Sequence, residues 1–98
     1  MKDETLLFRI RFGLRIKELR IERNIDQSVL SALLNKDKQF ISRYENEGAN
    51  PRADIVQEIA IALKLKTVDE LYDFNTINED EVNEICSKAK KKEAKKRL

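Results

Sequence analysis

Ninety-eight residues, 39% charged and 41% hydrophobic with two Gly and one Pro, describe one small domain that is mostly helical. With no His and one Cys, Ser–His, Cys–His and His-based metal chemistry are excluded, as is an intrachain disulfide; no cofactor is expected. The net charge of +2 conceals two basic blocks around an acidic one: 11 Lys and Arg against 8 Asp and Glu in residues 1–52, 2 against 9 in 53–87, and 7 against 1 in 88–98. Uncharged apolar runs are only a few residues long, and Arg9 and Arg11 interrupt the N-terminal one, so neither a membrane span nor a signal peptide is expected. A soluble protein of a reducing compartment follows.

In chain order, residues 5–23 carry the period of a helix. Phe8, Phe12, Ile16 and Leu19 share one face, and a second stripe, Leu7, Ile10, Leu14 and Ile21, occupies another. That second stripe is either the edge of a wide core face or a partner-binding surface. Asn24-Ile25-Asp26 breaks the helix, and Asp26 is placed to cap a short one over 27–34. Asn35 tolerates the left-handed backbone that ends it. Asp37 caps a third helix over about 38–46, with Lys38, Gln39, Ser42 and Arg43 on one side and Ile41 and Tyr44 on another. Small Ser31 lets the two short helices approach, between the apolar anchors Leu30, Leu34, Ile41 and Tyr44. Two short helices joined by a tight turn are a helix-turn-helix candidate.

Gly48-Ala49-Asn50-Pro51 forms a loop with Pro at a helix start. The spacing predicts a fourth helix over 52–64 that buries Ile55, Val56, Ile59, Ala60, Ala62 and Leu63. Thr67 caps a fifth over 68–73, with Asp69 and Glu70 in its first turn. Asn78 caps an extension helix from about 79 that frays past Ala89, its apolar stripe limited to Ile77, Val82, Ile85 and Ala89. So thin a stripe must dock on this domain or on a second copy. The basic run Lys88–Arg97 admits three readings: a solvated tail, a phosphate-binding arm, or a partner for the acidic 53–87 block. It lacks the bulky apolar residues of a membrane anchor.

The segments Gly13–Arg20, Ile25–Ser31, Ile41–Glu45, Asn50-Pro51, Ile59–Leu63 and Asp69–Leu71 follow one another as in the phage-repressor (Cro/C1-like, XRE-type) helix-turn-helix family, which the chain resembles from Phe12 to Phe74. The resemblance implies an all-α, five-helix lambda-repressor-like DNA-binding domain over 5–74; the C-terminal helical extension over 75–98 lies beyond it. It implies base reading by Lys38, Gln39, Ser42 and Arg43, and phosphate contacts by Gln27, Asn46, Arg20 and Arg52. Gln39 suits adenine, and Lys38 or Arg43 suits guanine. The chain departs from the family pattern at Glu47, where Gly is usual, at Lys36, a commonly apolar turn position, and at Phe40, commonly small and polar. Phe40 touches a thymine methyl or packs on a neighbouring helix, and the Lys36 stem packs with its ammonium free.

Plainer readings stand beside these. Lys38 and Arg43 are also what a solvated surface looks like, and Arg20 stands where it can pair with Glu45 instead of DNA. Val29 and Leu33 are apolar where the family faces solvent; they either pack on the N-terminal segment or mark an interface. The resulting expectation is a transcriptional repressor, not an enzyme, that binds a short palindromic operator in double-stranded DNA as a homodimer. It would be cytoplasmic, bacterial or phage-encoded and nucleoid-associated, with no separate ligand domain. The alternative is a protein-interaction module, such as an antitoxin or accessory factor, whose main partner is another protein.

Overall fold

The computed structural model describes the backbone of residues 3–97 and the side chains of residues 4–92. Five α-helices and one 3-10 helix follow in order: α1 (Asp3–Glu22), α2 (Gln27–Leu33), α3 (Phe40–Glu47), α4 (Ala53–Ala62), the 3-10 helix Val68–Tyr72, and α5 (Glu79–Arg97). No strand occurs among the described residues.

The first face of α1 builds the main core. Phe12, Ile16 and Leu19 are buried there with Leu30, Ile41, Tyr44, Ile59, Leu63 and Leu71. Phe8 departs from the expected face. It is 51% exposed, meets Phe74 edge-on at 5.2 Å and lies 6.0 Å from the Tyr72 ring.

The second stripe of α1 belongs to neither expected category. Ile10 and Leu14, with Leu6, lie buried beneath Val82 and Cys86 of α5, while Ile21 remains exposed. A second small core therefore docks the extension on its own domain. Full burial of one such aliphatic side chain contributes about 1.5–3 kcal/mol. Ion pairs flank the seam: Arg11 donates to Glu79 at 2.6 and 3.2 Å, and Lys17 lies 3.9 Å from Glu81. The Arg11 hydrogen bonds hold the Glu79 carboxyl below its ordinary pKa and raise that of Arg11.

The backbone of α5 stays helical to Arg97, beyond the fraying point expected near Ala89. Its acidic first turn and its lysine-rich end both suit the helix dipole. Within this run Lys88 pairs with Glu84 of the acidic block at 3.5 Å on the same helix, whereas Lys92 reaches a different element. Lys92 Nζ lies 2.8 Å from Glu47 Oε1, at the end of α3.

Local details explain the boundaries. Asn35 adopts φ 58°, the left-handed stop expected of it. Asp26 holds the extended N-cap conformation, but its side chain makes no cap hydrogen bond. Regular α3 starts at Phe40, two residues late, because Asp37 first closes a turn: its carboxylate accepts from the Gln39 amide and its carbonyl from that of Phe40. At the other end Gly48 takes φ 66°, and the Ala49 amide reaches back to the Arg43 carbonyl. The displaced glycine thus lengthens α3 by one residue and makes Glu47 helical. Further on, Glu70 accepts from the Lys66 and Thr67 amides, and the expected fifth helix is a 3-10 helix.

Candidate nucleic-acid interface

The helix-turn-helix pair is fixed by three contacts that hold α3 in one position. Gly13 of α1 lies against the Tyr44 carbonyl so closely that a Cβ there would collide with it. Buried Ser31 of α2 accepts a hydrogen bond from the Ile41 amide at 3.2 Å, which satisfies one of the orphan donors in the first turn of α3. Arg20 of α1 grips Glu45 of α3 with Nε and Nη2 at 2.9 and 3.0 Å, and Nη1 donates to the Ile25 carbonyl. Ser31 had shown itself in the sequence only as a small residue. Its hydroxyl also acts as a cap supplied from another helix. Gly13 carried no signal beyond its place in the motif.

With α3 so held, the candidate residues fall into three groups. Arg20, Gln27, Lys38 and Gln39 come together around an open cavity of about 530 Å³, completed by Asp26 and Ser28. Ser42, Arg43 and Asn46 lie on the solvent side of α3, where the Asn46 amide donates to the Ser42 hydroxyl at 2.9 Å. Arg43 is exposed, with only a loose ion pair to Asp37 at 3.7 Å. Arg52 stands apart on the loop before α4, 80% exposed in its side chain and 3.4 Å from Asp54.

Two of the eight candidates are held by the buried Glu45 carboxylate. Arg20 commits three of its five N–H donors to Glu45 and Ile25. The Gln27 amide donates one hydrogen to Glu45 at 2.9 Å and keeps its second. Glu45, 1% exposed, is thus satisfied by two side chains.

Phe40 packs edge-on against Tyr44 at 5.3 Å, and the Lys36 ammonium sits 5.4 Å over its ring, so this aromatic shapes the turn. Lys36 is accordingly not the free ammonium expected. Burial pushes the Tyr44 phenol above its ordinary pKa; nearby Asp54 adds to this and Arg52 opposes it. Val29 and Leu33 are exposed, at 48% and 58%.

An all-helical domain that presents two short helices joined by a tight turn has the architecture of a helix-turn-helix domain. A family model described as helix-turn-helix matches residues 16–71, more than half of the chain, and the chain belongs to that family, the XRE-type, Cro/C1-like proteins. It is a DNA-binding transcription regulator. The front of α1 and all of α5 lie outside the matched residues. No curated protein and no solved structure matches the chain. No helix among the described residues is long and apolar enough to cross a membrane.

Proposed function

We propose that this regulator is a repressor that binds double-stranded DNA as a homodimer and reads a short palindromic operator. One α3 enters each of two successive major grooves, with half-sites about 34 Å apart. Lys38, Gln39, Ser42 and Arg43 read base edges; Gln39 pairs with adenine and Lys38 or Arg43 with guanine, each good pair contributing about 1–3 kcal/mol of discrimination. Gln27, Asn46, Arg20 and Arg52 hold phosphates and so fix register without specifying sequence. The observation that carries this reading is the exposure of Lys38, Gln39 and Arg43 together on one helix and the turn before it, beside the cavity that Arg20 and Gln27 line. Its place of work is the nucleoid of a bacterium, encoded by the host or by a phage.

Selection of bound duplexes from a random pool, with the full chain at low salt, tests the proposal. It expects enrichment of an inverted repeat and binding that weakens steeply as salt rises. Absence of both contradicts it.

A second reading, a protein-interaction module such as an antitoxin or accessory factor, draws on a different observation. Leu33 and Ile61 are 58% and 75% exposed and line an open cavity of about 660 Å³ between α2 and α4. Large apolar side chains clustered at a surface suit a protein partner. Failure of the chain to bind any duplex at low ionic strength favours this reading over the first.

A further inference from the structure

The basic end of the chain lies outside the family match, and its position on the fold suggests a use. Helical periodicity puts Val82, Cys86 and Ala89 on the seam that α1 covers. The same periodicity puts Lys88, Lys91 and Lys92, at spacings of three and one, on a neighbouring stripe. Lys92 fixes where that stripe lies, through its 2.8 Å contact with Glu47. Glu47 stands one helical turn beyond Arg43, at the C-terminal edge of the α3 face that carries Ser42, Arg43 and Asn46. The basic stripe therefore runs from the edge of the DNA-facing surface, not from the opposite side of the molecule.

Charge points the same way. Glu47 would repel a phosphate backbone passing the end of α3, and Lys92 neutralises it in place. Lys88 meets Glu84 at 3.5 Å, with both side chains about 70% exposed, and so weak a pair exchanges readily for phosphate. Residues 88–98 hold 7 Lys and Arg against a single acid, Glu93. From Lys88 to Arg97 the helix advances about 14 Å.

We infer that the basic half of α5 is a second DNA contact, which lies along the phosphates flanking the half-site that α3 reads and extends the footprint without adding base preference. The inference rests on the DNA-binding reading above. The small core against α1 gives this helix its direction, and the Lys92–Glu47 contact marks where it passes the end of α3, so the contact has a set position on the duplex. Phosphates are the fitting partner because the stripe offers point charges and no planar or apolar group that reads a base.

The test compares the full wild-type chain with a Lys88→Gln/Lys91→Gln variant. Gln preserves helix propensity, and Lys92 keeps the anchor. Binding is measured across a salt series on the duplex enriched by selection, once with a full helical turn of extra sequence on each side and once trimmed to the half-sites. The expected result is a salt slope that falls by about 0.9 for each lysine in contact, on the long duplex only, with the selected sequence unchanged. An unchanged slope on the long duplex overturns the inference and leaves the α3 reading intact. An equal loss on both duplexes overturns it too, since the lysines then act by net charge and not on the flanks. If the wild-type chain binds no duplex at low salt, the DNA-binding reading itself falls, and this inference with it.

Discussion

Arg20 and Glu45 face each other across the contact between α1 and α3 in a two-bond fork, Nε to Oε2 at 2.9 Å and Nη2 to Oε1 at 3.0 Å. Gln27 joins them from α2, so one buried carboxylate ties together the three helices that present the candidate interface. A charge this deeply buried is tolerable only while its partners stay in place.

Glu45→Ala should therefore lower the unfolding free energy by about 3–5 kcal/mol, since it leaves the partly buried Arg20 guanidinium without its carboxylate. Gln27→Ala, which removes one hydrogen bond to the carboxylate, should cost about 1.5–3 kcal/mol. Urea melts of the two variants check this. A Glu45→Ala protein as stable as the wild type would show that the fork does not brace α3.

Gly13 sets how closely α1 and α3 approach, because the Tyr44 carbonyl occupies the space where a Cβ would go. Gly13→Ala should destabilise the domain by about 1–3 kcal/mol through forced separation of the two helices, despite the better helix propensity of Ala. Thermal melts measure the outcome. A rise in melting temperature would mean that propensity outweighs the clash.

The parts of this fold legible in the sequence were the local ones. Asn35 announced its left-handed stop, and Leu30, Leu34, Ile41 and Tyr44 announced the inner faces of two crossing helices, since each signal depends only on near neighbours. The fate of Ile10 and Leu14 was not legible, because their burial depends on a helix some 70 residues away in the chain that packs back on them. The same holds for Lys92, whose partner Glu47 is 45 residues distant. Ser31 showed its size but not its hydrogen bond, which needs the relative position of two helices. Lys38 and Arg43 look in sequence like any solvated charge, and only the surrounding motif singled them out.

Acid should loosen α5 from α1. The folded-state pKa of Glu79 is held below its ordinary value by the Arg11 hydrogen bonds, so the folded chain binds the proton less readily than the unfolded one. The stability this gives is fully present above the ordinary carboxylate value of about 4 and is lost as pH falls through the lowered value. Glu79→Gln should accordingly be less stable than the wild type at neutral pH, with the gap closing as pH falls through the lowered value. Urea midpoints of both proteins at several pH values decide it. A gap that persists in acid would rule out the ion pair as its source.

Arg52 should contribute to DNA affinity without affecting sequence choice. Its side chain is 80% exposed, and its pairing with Asp54 in the first turn of α4 is loose. Arg52→Ala should leave folding nearly unchanged, weaken all duplexes alike, and reduce the salt slope by about 0.9. Titrations of a selected and an unrelated duplex read both effects. A loss confined to the selected duplex would assign Arg52 to base reading instead.

The outward face of α3 reading base edges is the claim on which the functional account depends. Its most direct test repeats the selection from a random duplex pool with Arg43→Ala beside the wild type. Arg43 is exposed and is not buried in the core, so the variant should fold normally. The account predicts that the wild type enriches an inverted repeat and that the variant loses preference at one base pair in each half-site, by about 5- to 150-fold, while the rest of the site is kept. An identical selected sequence from both proteins would contradict it.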